Sequence, residues 1–248
     1  MLGAFSALGF VVLFMVGAIV SNVATTQSYP RPDADAAEVQ TYFAENTGIA
    51  EFLSLTQAGA AVCVLVLAGV LAAAVRRRDT QGSTEAACIG LGGGLAAAFL
   101  LLSALLVWAL SRDQVINGPA GMTALHQLAF AAGGAGHVVP LGVLVGASSV
   151  AALRYGVHSR WIAMVGLVSA VLSLLSLVTL LVLGPLVALI PLGRFTAFFY
   201  LIAAGLAVRP GPVELSEPEG SSTVAGGQGE LMETVARPGG SDRHDSAE

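Results

Sequence analysis

Five uninterrupted runs without Asp, Glu, Lys or Arg dominate this sequence, at 1–30, 52–75, 86–111, 114–153 and 161–193. Crossing a hydrocarbon layer about 30 Å thick takes about 20 apolar residues, because each helical residue rises about 1.5 Å. Every run meets that length. In lipid each backbone N–H and C=O must bond within the structure, which leaves helices or closed barrels; runs this long suit helices, not alternating strands of roughly ten residues.

The last run continues past a single charge, Arg194, to Val208 and is too long for one helix. Gly184, Pro185, Pro191 and Gly193 supply the break. The expected fold class is therefore all-α: an integral membrane bundle of six transmembrane helices, near 2–23, 53–75, 87–110, 132–153, 162–183 and 187–208, followed by a disordered C-terminal tail. Composition agrees, with 55% hydrophobic and 11% charged residues and a mean hydropathy of +0.79, where a soluble domain carries about 25% charge. Outside the spans no stretch is long enough for a catalytic domain of about 50 residues.

Charge placement sets the expected orientation. All eleven basic residues are arginine, a coding bias that points to a GC-rich bacterium and hence to a bacterial cytoplasmic membrane. Arg76, Arg77, Arg78, Arg154, Arg160 and Arg209 flank one side of the helices, against Arg31, Arg112 and Arg194 on the other, so the N- and C-termini are expected in the cytoplasm. Trp108 and Trp161 sit beside charged loop residues at opposite faces as interfacial anchors. The Arg76–Arg78 triplet is a contact for anionic membrane lipid. The first run has a second reading, a secretory signal peptide cleaved near Ser21 to Ala24, but no arginine precedes it.

The domain 1–208 carries one long outer loop, 24–52. Within it Asp35 and Glu38 have the spacing of a capping box, and Val39, Tyr42 and Phe43 follow at helical spacing, which predicts a short helix over 36–46 lying on the outer membrane surface. The tail, 209–248, holds eight acids and three arginines, so the net charge of −5 resides there. Rich in Pro, Gly, Ser and Glu, it buries too little surface to offset chain entropy. Its acidity gives no support for a nucleic-acid partner.

Small residues mark candidate helix contacts: Gly90 and Gly94, Gly142 and Gly146, and the series Gly166, Ser169, Ser173 and Ser176. Packing inside the bundle is their expected use, with oligomerisation the alternative. Cys63 and Cys88 differ in depth by about 15 Å, too far for a disulfide.

The candidate ligand-binding residues converge near the outer leaflet. Arg194 lies about 7 Å inside the last helix, with His137 at a similar depth, Gln57 at the rim of the second helix and Glu51 just above it. His126 stands eleven residues before His137, on nearly the same face if one helix runs through both. An intramembrane ionisable residue defaults to a functional reading, here a shallow polar pocket in which Arg194 meets a carboxylate or lipid phosphate. The competing readings are an arginine that snorkels to the headgroups, or one that pairs with Glu51 or Asp113.

No metal site is expected, since the two histidines lack further ligands, and no cofactor is implied. H-E-x-x-H, G-x-S-x-G, Walker and C-x-x-C motifs are missing, so enzymatic activity is not expected. The midplane holds Ser173 and Tyr200 but no ionisable carboxylate, histidine or base, which disfavours ion-coupled transport.

The acidic loop ending in a Tyr-bearing helix, the helix ending at Arg76–Arg78, and Arg160-Trp161 opening the fifth helix give a pattern that resembles small actinobacterial six-helix membrane proteins of unknown function. The resemblance covers about residues 5–208 and brings no activity or site residues with it. The expected function is a structural or ligand-sensing membrane component. The alternatives are a facilitator for a small neutral or amphipathic molecule, or an accessory subunit of a membrane complex.

Overall fold

The computed structural model describes residues 1–25, 27–78, 84–116, 121–156, 159–180 and 185–208. In chain order the helices are α1 (Leu2–Val23), α2 (Ala36–Glu45), α3 (Thr47–Arg76), α4 (Thr84–Leu110), α5 (Asp113–Ile116), α6 (Met122–Ala131), α7 (His137–Tyr155), α8 (Arg160–Leu175) and α9 (Leu189–Ala207). A π-helical turn, Ala132–Gly136, joins α6 to α7; 3-10 turns, Ser176–Leu180 and Pro185–Ala188, follow α8 and precede α9.

Among the described residues six helical stretches are long and apolar enough to cross a membrane: Leu2–Val23, Thr47–Arg76, Thr84–Leu110, Met122–Tyr155, Arg160–Leu180 and Leu186–Ala207. The all-α membrane bundle read from the apolar runs is the observed fold. The expected tail at 209–248 lies outside the described residues, as do Gly184 and Arg209.

The main core draws on most of the spans, with Phe10 from α1, Leu67 from α3, Ile89 from α4, Leu144 from α7 and Leu201 from α9 all buried. Small residues let these helices approach. Gly142 faces Ser173 on α8, Gly205 faces the Gly3 backbone, and Gly92 faces the backbone at Pro140 and Leu144. A side chain at any of these would displace a neighbouring helix.

One expected seam is corrected. Gly90 and Gly94 face open space, and the contacting pair on α4 is Gly92 and Gly93. The GxxxG spacing is present, but α4 is apolar on every side and its sequence does not distinguish the packed face from the lipid face.

The two ends of the bundle differ. Arg154 pairs with Glu85 at 2.8 Å and Arg78 Nη1 donates to the Tyr155 carbonyl at 3.3 Å, tying the ends of α3, α4 and α7 together; this is the arginine end. At the opposite end, the lid end, α2 begins where the Asp35 carboxylate accepts the Glu38 N–H at 2.8 Å. Val39, Tyr42 and Phe43 of α2 are buried against Leu53, Leu110, Met122 and Ala129. Gln40 Nε2 also donates to the Ile116 carbonyl at 2.7 Å. The apolar face of α2 thus packs on protein, where the sequence alone suggested a membrane-surface helix.

Candidate functional site

A break in the fourth span builds the site. Pro140 has no N–H to offer the Gly136 carbonyl, and its ring crowds that carbonyl. The glycine-rich run before it yields: residues Ala132–Gly136 form a π-helical turn in which Gly134 has non-helical φ −82 and ψ −112. The His137 N–H bonds to the Gly134 carbonyl, so the Gly133 carbonyl, its partner in a regular α-helix, is released from that bond.

Arg194 of α9 takes up this carbonyl, donating from Nη2 to Gly133 O. Its guanidinium carbon lies 4.6 Å from the centroid of Phe14, a ring held edge-on by Phe198 at 5.5 Å. Nε is buried and has no partner among the described residues. The side chain therefore turns into the bundle, toward Phe14, and does not snorkel. Neither of the two expected carboxylate partners meets it: Glu51 pairs with Arg112, and among the described residues no ion pair joins Arg194 to Asp113.

Arg194 forms part of the wall of a cavity of about 220 Å³ at the lid end. Gln57, Ser21, Asn22, Ser103 and Tyr29 supply its other polar groups. The Gln57 carbonyl oxygen is buried and has no partner among the described residues. The two serine hydroxyls are engaged, Ser21 donating to the Gly17 carbonyl at 2.8 Å and Ser103 to the Ala129 carbonyl at 2.9 Å. Among the described residues that line this cavity none is a carboxylate. Tyr29 and Tyr42 lie 5.4 Å apart; burial, then the neighbouring Tyr42, pushes the Tyr29 phenol above its ordinary range, and burial raises Tyr42 as well.

The five residues singled out in the sequence separate. Arg194 and Gln57 share the cavity. Glu51 borders a different groove, with Ser54, Leu55 and Trp108. His126 is buried behind the cavity wall, its ring 5.7 Å from Tyr29 and 6.5 Å from Phe43. His137 is buried deeper, with Nδ1 2.8 Å from the Ala96 carbonyl and its ring 6.1 Å from Phe10. A carbonyl only accepts, so Nδ1 carries the proton and Nε2 is left as an acceptor.

The common face expected for His126 and His137 required an unbroken helix, and the turn at Gly134 removes it. Sequence reasoning missed Phe14 and Gly133. Gly133 had a signal, the run Gly133-Gly134-Ala135-Gly136 four residues ahead of a helical proline; Phe14 had none beyond apolarity.

These features define an integral membrane helical bundle with a cation-bearing recess at one end. No protein-family model, curated protein or solved structure matches the chain.

Proposed function

We propose that this protein is a non-enzymatic, ligand-sensing component of a bacterial cytoplasmic membrane, with both termini in the cytoplasm and the lid end outside. Its recess holds the carboxylate or phosphate of a small amphipathic molecule at Arg194. The observation that carries this reading is a guanidinium in a cavity whose described wall contains no carboxylate. A carbonyl and an aromatic face offset part of the cost of removing that charge from water, and neither neutralises it. An anion does, and the planar guanidinium fork suits carboxylate and phosphate.

Size narrows the ligand. Pockets for whole drug-sized molecules run from about 300 to 1,000 Å³, so about 220 Å³ suits a head group whose tail remains in lipid. Chemistry on that head group finds no support: the two lining serine hydroxyls donate to backbone carbonyls, and among the described lining residues no base activates them. Passage across the membrane finds little, because toward the arginine end Leu67, Leu71, Val75, Ile89, Leu144 and Leu201 fill the space between helices. Arg76–Arg78 would meet anionic lipid at the cytoplasmic face, and the kinship suggested by the pattern of loops and arginines is with small actinobacterial membrane proteins.

Native mass spectrometry tests the reading, with oleic acid and phosphatidylglycerol offered separately to distinguish a free carboxylate from a lipid phosphate. Arg194→Ala should lower retention of one probe at least about tenfold, the scale of a charged hydrogen bond, and Arg194→Lys should recover part of it. Equal retention of both probes by wild type and Arg194→Ala would remove the proposal.

A further inference from the structure

We infer that a second groove at the lid end, between α3 and α4, is a binding site for one zwitterionic phospholipid, with phosphate at Arg112 and ammonium at Glu51. The groove has a volume of about 500 Å³ and shares no described wall residue with the Arg194 recess. Ala58 and Ala104 leave it hollow between Leu55 and Leu105, which are 71% and 55% exposed. Both leucines lie on helices long and apolar enough to span, close to the rim at Gln57, where the medium passes from headgroups to hydrocarbon. An acyl chain is the matching occupant of such a trough.

Charge appears only at one end. There Glu51 and Arg112 form an ion pair, with side chains 45% and 34% exposed, so each remains open to a further partner. Arg112 is held in place by donating to Ser111 Oγ at 3.0 Å and by stacking 4.9 Å from the centroid of Trp108, an aromatic of the kind that favours the headgroup level. Its Nε is buried and has no partner among the described residues. An exposed pair adds little stability on its own, so its placement at the mouth of an apolar trough calls for another account. A purely anionic headgroup would meet repulsion from Glu51. One with both phosphate and ammonium answers both charges, and a primary ammonium brings three donors for the carboxylate.

The test offers the full chain equal amounts of phosphatidylethanolamine and phosphatidylglycerol in mixed micelles and reads bound lipid by native mass spectrometry. It is run in wild type and again in Arg194→Ala, so that anions held in the other recess are counted separately. Phosphatidylethanolamine should be retained over phosphatidylglycerol about fivefold in the Arg194→Ala background. Glu51→Gln, which leaves the arginine unopposed, should move that ratio toward phosphatidylglycerol by about fivefold or more. Ala58→Phe fills the trough without touching either charge and should abolish retention while thermal stability holds. An equal lipid ratio that Glu51→Gln leaves unmoved, or full retention by Ala58→Phe, would overturn the site and leave the pair as a staple between two helices.

Discussion

The guanidinium of Arg194 stacks on the ring of Phe14, 4.6 Å from its centroid, and so joins the lid end of α9 to α1 through a charge held against an aromatic face. Such contacts contribute about 2 kcal/mol or more when desolvated. Phe14→Leu keeps most of the apolar volume and removes the ring quadrupole. Phe14→Leu and Arg194→Gln should therefore couple by about 1–2 kcal/mol in a double-mutant cycle of unfolding in micelles. Additive effects would mean that the stacking is geometric proximity alone.

The turn that frees the Gly133 carbonyl also presses Gly133 onto α4. A Cβ there would collide with the Ser103 hydroxyl and crowd its Cβ. Gly133→Ala should cost about 1–3 kcal/mol, the usual range for overpacking. Ser103→Gly removes the obstruction and should recover more than half of that loss, measured by thermal unfolding of the single and double variants. Failure of the rescue would place the strain in the backbone of the turn and not in the contact.

What the sequence discloses here follows from which physical constraints are one-dimensional. Spanning lengths are, since hydrocarbon thickness fixes a residue count, and so is the Asp35 cap, where a carboxylate reaches an N–H three residues on. Arg194 stands out because a charge in an apolar run is conspicuous in any window. Choice of partner is not one-dimensional. Glu51 meets Arg112 and not Arg194 because α3 presents Glu51 and Gln57 to different sides, and that rotation is set by packing in three dimensions. The same holds for His126 and His137, whose separation depends on where one helix breaks.

The glycines give the sharpest test of that limit. Gly142 and Gly166 touch Ser173, and Ser149 with Tyr200, respectively, whereas at Gly90 and Gly94 no neighbouring helix comes within 4 Å of where a Cβ would stand. Gly142→Leu and Gly166→Leu should prevent a monodisperse bundle, read by size-exclusion chromatography in detergent. Gly90→Leu and Gly94→Leu should behave as wild type, because lipid accepts the added carbons. Collapse of the second pair together with loss of a dimer peak would assign that face to a copy of the chain.

The lid carries an expected alkaline limit. Burial and the neighbouring Tyr42 raise the Tyr29 phenol from its ordinary value of 10.0, which means that the folded lid disfavours phenolate. In an opened loop the phenol ionises near that ordinary value. The stabilisation from the neutral ring is therefore complete below about pH 10 and declines as pH rises further, toward the raised folded value. Hydrogen exchange across α2 should hold steady up to about pH 10, after correction for intrinsic rates, and then accelerate. Tyr29→Phe cannot ionise and should delay that acceleration, while losing one late-titrating phenol from the absorbance titration. Ionisation of Tyr29 at its ordinary value, with no change in α2 protection, would mean that the ring is solvated and that the lid does not depend on it.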